Sequence, residues 1–538
     1  MTELKDNQLE LHKFRLRLTV LGGLVFLCFG LLLARFIWLQ VVKHEDYAVK
    51  AEDNRISLVP IQPNRGLIVD RNGVLLARNY SAFTLEITPS KLTGTLDETI
   101  DALSKLVAID IKDRKRFRHL LEESKRFESV PLRTRLTDEE VARFSAQHFR
   151  FPGVEIQARL FRQYPLGEVA SHVIGFIGRV NQAEARALAD SDDAANYNGA
   201  DHIGKEGLEK SYEKQLHGTT GYEEVEVSAG GRAVRTLSRT APVSGNNLRL
   251  SLDIRLQEAI EKAFGDRRGA LIAIEPATGD VLAFVSKPSF DPNLFVEGID
   301  PVSWDTLNND PDKPLLNRAL RGTYPIGSTY KPFLALAALE LGKRRPEQVI
   351  YDQGFFMFGG HRFRDSNKVP LGPVDMHKSI VKSSDIYYYQ VANDLGVDLM
   401  YEQLLPFGFG RKTGIDIDGE VTGLLPSTEW KRRAYRKPEQ QKWYAGETIS
   451  LGIGQGYNNF TALQLATATA TLVAGGQRFK PRLVSDIEDI VTRERKRVAS
   501  DALEPLPFKR EHVELITKAM YGVTQEGTST RVFMGAGY

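Results

Sequence analysis

The sequence predicts an α+β protein held outside a membrane by one N-terminal helix. Three observations carry this: an uncharged run near the N-terminus, a first half of turns and short alternating apolar runs, and a second half mixing apolar strands with helical stretches. The chain has 538 residues, 42% hydrophobic and 26% charged, which suits several folded domains and excludes a wholly disordered chain. Lys and Arg number 71 against 69 Asp and Glu, and the net charge of +2 speaks against a nucleic-acid partner. The single cysteine, Cys28, excludes an intrachain disulfide, a cysteine-rich zinc site and a thiol relay.

Residues 18–34 carry no charge and are followed by Arg35 and the apolar segment 36–42. At helical rise the uncharged run spans roughly 25 Å, and the extension takes it past a bilayer core. Arg35 can snorkel and Trp38 suits the interface. Lys13, Arg15 and Arg17 form the positive flank that stays in the cytoplasm. The expected order is therefore a cytoplasmic tail at 1–17, a transmembrane anchor at 18–42 and the bulk of the chain outside. A cleaved signal peptide fits less well, because no small-x-small site follows the run. A buried core helix is the remaining alternative. With no second such run, the protein reads as single-pass.

Between 53 and 86, apolar runs at 67–69 and 74–77 flank Asn72-Gly73, a strong hairpin signal. Residues 95–150, with leucines at helical spacing among charges, read as small exposed helices. The basic cluster at 112–119 could pass for a lipid or nucleic-acid patch, but its acidic neighbours favour a solvated helix face. Val225 and Val227 alternate in a further β-rich stretch at 201–240. Composition shifts near Gly245, so a stalk at 43–245 and a second domain at 246–538 are expected. Residues 248–252 alternate as a strand, and Asp253 can cap a helix with Leu256, Ile260 and Phe264 on one face. Strands at 270–274 and 281–285 follow, joined by Glu275-Pro-Ala-Thr-Gly279. A long helical region is predicted from about 328 to 405, and another helix at 461–473.

The strongest chemical signal is Gly327-Ser328-Thr329-Tyr330-Lys331-Pro332 before an apolar run at 333–339. Residues three apart share a helix face, so Lys331 can reach the Ser328 hydroxyl. An all-apolar helix is buried, and burial lowers a lysine's pKa until it can accept a proton. Ser328 in the first turn would have free N–H groups and the helix dipole beside it. S-x-x-K alone is a weak pattern, with roughly two chance matches expected in such a chain. Ser211/Lys214 and Ser379/Lys382 share the spacing, but only Ser328 has a Pro-Ile-Gly turn before it and a buried helix behind it. Farther on, Ser383-Ser384-Asp385 offers a serine with a carboxylate two positions away, able to relay a proton and orient the lysine. By itself that pattern is more often a helix cap.

Together, STYK at 328–331 and SSD at 383–385, behind an anchor and a β-rich stalk, resemble the class B penicillin-binding proteins. PNRGLIVDRNG at 63–73, YP at 164–165, HVIG at 172–175, HIGKEGL at 202–208, GYEEVEV at 221–227, SFDPNL at 289–294 and GIGQGY at 452–457 are similar to the elongation type, penicillin-binding protein 2. The resemblance implies a β-rich pedestal with a small helical head at about 90–170. A serine transpeptidase domain would follow, β-lactamase-like, with a central antiparallel sheet and packed helices. It implies peptidoglycan D,D-transpeptidation during cell elongation, on stem peptides ending in D-Ala-D-Ala, in the periplasm of a Gram-negative cell. Ser328 would form the acyl-enzyme, Lys331 serve as general base, Ser383 shuttle a proton to the leaving group and Asp385 complete the second motif. β-Lactams would acylate Ser328. A membrane glycan polymerase of the RodA type and a scaffold of the MreC type are the implied partners.

The family's third motif, Lys-Thr/Ser-Gly on a strand beside the nucleophile helix, has one apparent match, Lys412-Thr413-Gly414. It reads as a decoy. It follows Asp385 too closely and runs into Asp416 and Asp418, a poor setting for a substrate carboxylate. The expected motif would follow MYGVTQEGT at 520–528 by roughly twenty residues in the family's spacing. The transpeptidase domain is accordingly expected to be incomplete at its C-terminus and not to turn over as it stands. A non-catalytic scaffold or receptor regulating a membrane polymerase is the alternative, and a serine β-lactamase fits poorly behind an anchor and stalk. No sequence signal selects one of the ten histidines for a Ser-His-Asp triad. There is no H-E-x-x-H, and His361 with Asp365 is only a pair. Gly452-x-Gly-x-Gly456 lacks dinucleotide spacing, so neither metal nor cofactor is expected.

Overall fold

A computed structural model describes residues 7–44, 56–123, 129–227, 233–366 and 369–536. The first residues of the expected tail, the start of the expected stalk at 45–55 and Tyr538 lie outside these.

The anchor is one helix, Asn7–Ile37, ending in a π turn at Trp38–Val42. Within it, Leu11–Val42 is long and apolar enough to cross a membrane, and none of its most apolar window is buried against protein. Leu18, Phe26 and Leu33 point outward, as a lipid-facing helix requires.

The stalk is organised by a long strand, Leu75–Ile87, that pairs antiparallel with Val154–Gln163 and Val130–Leu136. The Asn72-Gly73 hairpin forms as predicted: Gly73 takes φ +88, and Asp70 Oδ1 accepts from the amides of Asn72 and Val74 at 2.8 Å each. Its other oxygen, Oδ2, accepts from the Ile254 amide, fixing this turn to the second half of the chain. The head packs the helices Leu96–Leu103, Ile111–Glu123 and Asp138–Ser145 on the sheet around Leu85, Leu103, Phe117, Leu132 and Phe144. The basic cluster is a solvated helix face: Phe117 is buried, while Arg114, Arg116 and Arg118 pair with Asp101, Asp113 and Asp97. A second sheet joins Ile56–Ile61, Gly221–Val227 and Ala233–Thr240.

One seven-stranded sheet joins chain from both sides of position 245. Ile68–Val69 runs parallel to Asn247–Leu250, which pairs antiparallel with Val484–Glu488, and that strand with Arg495–Arg497. Asp416 adds a further tie, accepting from the amides of Leu483 and Val484 and from the Tyr212 hydroxyl at 2.8 Å. Burial pushes the Asp416 carboxyl above its usual pKa.

The strands Gly269–Ile274 and Val281–Lys287 form the predicted antiparallel pair. Asp253 caps Ile254–Phe264 as expected, but the buried face differs from the predicted one. Leu256 is exposed, and Gln257 is buried instead, its amide exchanging both hydrogen bonds with the Phe284 backbone. A buried amide is tolerated there because its polar groups are satisfied.

The predicted helical stretch at 328–405 is interrupted. After Lys331–Glu340 the chain makes two small antiparallel pairs, Ile350–Asp352 with Gly372–Val374 and Phe355–Phe358 with His361–Arg364. Gly354, Gly359 and Gly360 supply the positive φ values that turn them. Helices resume at Met376–Val381 and Asp385–Leu404. Ala462–Val473 forms as predicted, with Thr461 and Gln464 closing a capping box. The largest core surrounds Lys331–Glu340 and Asp385–Leu404, with Phe333, Leu336, Tyr387, Tyr388 and Val391 among its members.

Candidate active site

Ser328 lies in a 3₁₀ turn, Gly327–Tyr330, that runs directly into the helix Lys331–Glu340. It therefore precedes the α-helix by one tight turn, where the predicted position was the first α turn. Gly327 at φ +57 makes the entry possible, and Pro332 sits where a helix start tolerates proline. Residues 331–339 are all buried, as the apolar run predicts.

The turn divides the two residues. Ser328 is exposed, whereas Lys331 is 1% exposed. Lys331 Nζ donates to the Ser383 carbonyl at 2.8 Å, to Ser383 Oγ at 3.0 Å and to Asp385 Oδ1 at 2.6 Å. The structure thus brings Lys331, Ser383 and Asp385 together. The expected contact between Lys331 and the Ser328 hydroxyl is not made, and that hydroxyl has no partner among the described residues. A carboxylate is the stronger acceptor for an ammonium, and the three bonds use every donor the ammonium has. Burial lowers the Lys331 pKa, with the charges of Asp385, then Asp365 and Asp352, opposing the shift.

Ser383 takes φ +57, a left-handed conformation that a serine holds at a cost of about 1–3 kcal/mol. This residue joins two helices. Lys382 ends Met376–Val381, and Ser384 caps Asp385–Leu404 by accepting from the Tyr387 amide. The cap function thus falls on Ser384, leaving the Ser383 hydroxyl to Lys331. Ser384 also donates to Asp352 Oδ2 at 2.6 Å. The Asp385 amide donates to Asp365 Oδ2, and Asp385 Oδ2 accepts from the Ser366 amide, each at 2.9 Å.

Asp352 was not singled out by the sequence pattern and Asp365 only as a pair with His361, since no fixed spacing links them to the serine motifs; Ser384 lies inside the second motif, which offered a helix cap without assigning it to this serine. Gly454 did carry a signal, as part of Gly452-x-Gly-x-Gly456. Its carbonyl accepts from the Gly327 amide at 3.1 Å, and a Cβ there would lie 2.2 Å from the Gly327 carbonyl oxygen. Close backbone approach accounts for that glycine.

The other S-x-x-K pairs diverge. Ser211 bonds the Gly207 carbonyl and Lys214 pairs with Asp193. Ser379 is fully buried against the Met376 carbonyl and Tyr388 hydroxyl, and Lys382 reaches the Glu526 carbonyl. Lys412-Thr413-Gly414 lies in a loop outside any strand. The Thr413 and Gly414 amides donate to the Glu420 carboxylate at 2.6 and 3.1 Å.

Residues 60–250 match the profile of the penicillin-binding protein dimerisation domain, and 269–538 that of the penicillin-binding protein transpeptidase domain. The peptidoglycan D,D-transpeptidase MrdA of Acinetobacter baumannii is 42% identical over 483 residues, spanning 89% of this chain and 70% of that relative. The chain belongs to the penicillin-binding protein 2 family. Among solved structures, penicillin-binding protein 2 of Helicobacter pylori in complex with MreC superposes with a TM-score of 0.74 at 28% identity, covering 89% of this chain and 86% of that one. A chain from a peptidoglycan synthase complex that couples polymerization and crosslinking gives 0.68 at 29% identity, covering 96% and 86%. Penicillin-binding protein 2 architecture therefore extends from the stalk through the serine motifs.

Proposed function

We propose that Ser328 is the nucleophile of the peptidoglycan D,D-transpeptidase activity of cell elongation. The observation that carries the assignment is the buried Lys331 amino group, held by Ser383 and Asp385 beneath an exposed serine turn. Burial favours the neutral amine, which accepts the Ser328 proton as Oγ adds to the carbonyl carbon of the penultimate D-alanine. The tetrahedral intermediate expels the terminal D-alanine, whose amine takes a proton delivered from Lys331 through Ser383. An amine of a second stem peptide then adds to the acyl-enzyme and gives its proton to Lys331, which returns it to Ser328 Oγ as that oxygen leaves and the cross-link forms. Asp385 orients Lys331 and tunes its basicity.

β-Lactams acylate the same oxygen in this reading. The bulk of the chain lies in the periplasm, in keeping with Lys13, Arg15 and Arg17 ahead of the apolar helix. The H. pylori relative is in complex with MreC, and the second structural relative belongs to a peptidoglycan synthase complex. An MreC-type scaffold and a RodA-type glycan polymerase are accordingly the partners proposed here.

Labelling with a fluorescent penicillin tests the assignment. A covalent adduct is expected that disappears in Ser328→Ala, while a folded protein that never labels would return the domain to the scaffold reading.

A further inference from the structure

A second buried lysine lies outside the serine motifs. Lys431, on the helix Thr428–Ala434, is 3% exposed, and its Nζ bonds both oxygens of Glu447, one of them at 2.6 Å. The rings of Tyr444, Trp443 and Tyr457 surround the ammonium at 5.4, 5.5 and 5.6 Å, within cation–π range. Glu447 sits in the first turn of Ala445–Leu451, and its carboxylate also accepts from the Tyr444 amide at 3.0 Å and the Tyr457 hydroxyl at 3.1 Å. Three donor groups therefore place four hydrogen bonds on one carboxylate.

The segment this carboxylate holds touches both halves of the site. At Gly452 a Cβ would lie 2.4 Å from the Tyr388 carbonyl oxygen, so the segment rests directly on the helix that begins at Asp385. At Gly454 the backbone meets the turn carrying Ser328. Glu447 precedes this bridge and Tyr457 follows it, so their hydrogen bond closes the bridge at its two ends.

We propose that Lys431 and Glu447 form a clasp that positions the Ser328 turn over Lys331. The proposal rests on the serine reading above and deepens it. Neither residue touches the reacting atoms; both act through the 452–457 loop, as positioning residues. A shift of the turn by a fraction of an ångström alters the attack geometry without altering the binding surface, so the effect belongs on the acylation step.

Acylation of the full chain by a fluorescent penicillin, resolved into half-saturating concentration and limiting rate, tests this. In Glu447→Gln the limiting rate is expected to fall about tenfold with half-saturation within about twofold. Adding Lys431→Met removes the cation left unpaired and is expected to restore the melting temperature, while the rate stays low. A wild-type rate in Glu447→Gln, or a rate that recovers along with stability in the double variant, overturns the proposal. If Glu447→Gln does not fold, Tyr457→Phe takes its place, since it removes one hydrogen bond and keeps the ring. There the rate is expected to fall about threefold at unchanged melting temperature, and an unchanged rate overturns the clasp. Wild-type protein that forms no adduct would instead remove the serine reading, and the clasp with it.

Discussion

Ser328 with Lys331, and Ser379 with Lys382, have the same spacing and opposite burial. In the first pair the serine is exposed and the lysine is buried beside a carboxylate. In the second the serine is fully buried, and the lysine reaches across the surface to a carbonyl. Spacing places two groups near each other, but burial decides which group meets substrate and which loses its proton. A nucleophile needs access and its base needs desolvation, so only the first arrangement can run acyl transfer.

The largest expected effect breaks this pair of pairs outright. Ser328→Ala abolishes the penicillin adduct, whereas Ser379→Ala leaves labelling intact and lowers unfolding free energy by about 1–3 kcal/mol, through the partners it leaves unpaired. Next comes the amine. Lys331→Met slows acylation by the fluorescent penicillin by about a hundredfold or more, and Lys382→Met leaves that rate unchanged. A smaller effect sharpens the role of the carboxylate. Asp385 opposes the lowering of the Lys331 pKa, so Asp385→Asn lowers it further. With the neutral amine as the proposed base, the rising limb of acylation rate against pH moves down; a limb that stays or moves up contradicts the assignment. The smallest effect concerns the cap. Ser384→Ala costs about 1–2 kcal/mol in denaturant unfolding and leaves an Asp352 oxygen without its hydroxyl.

Much of this was legible in the sequence because local rules governed it. The Asn72-Gly73 hairpin, the Asp253 cap, the strand pair around Glu275–Gly279 and the buried run after Lys331 all follow from turn chemistry, capping and apolar patterning. The four predicted site residues occupy one neighbourhood, although Lys331 bonds the second motif and leaves the Ser328 hydroxyl alone. What could not be read depends on distant chain. Asp352 and Asp365 enter the site from two small hairpins inside a stretch read as helical, where apolar residues and short length leave strand and helix indistinguishable. The burial of Gln257 in place of Leu256 could not be read because its partner, the Phe284 backbone, lies on another element. The Gly452–Gly456 run lacks dinucleotide spacing, and Gly452 and Gly454 answer instead to the backbones they press against.

The sheet that runs from the head strand Leu75–Ile87 to Val484–Glu488 has a mechanical corollary. Strands on either side of position 245 share hydrogen bonds, and Tyr212 is pinned to Asp416, so among the described residues the stalk and the half that bears Ser328 are tied by more than the chain that joins them. Sideways load on the stalk would therefore be shared, through these strands, with the body that holds the serine.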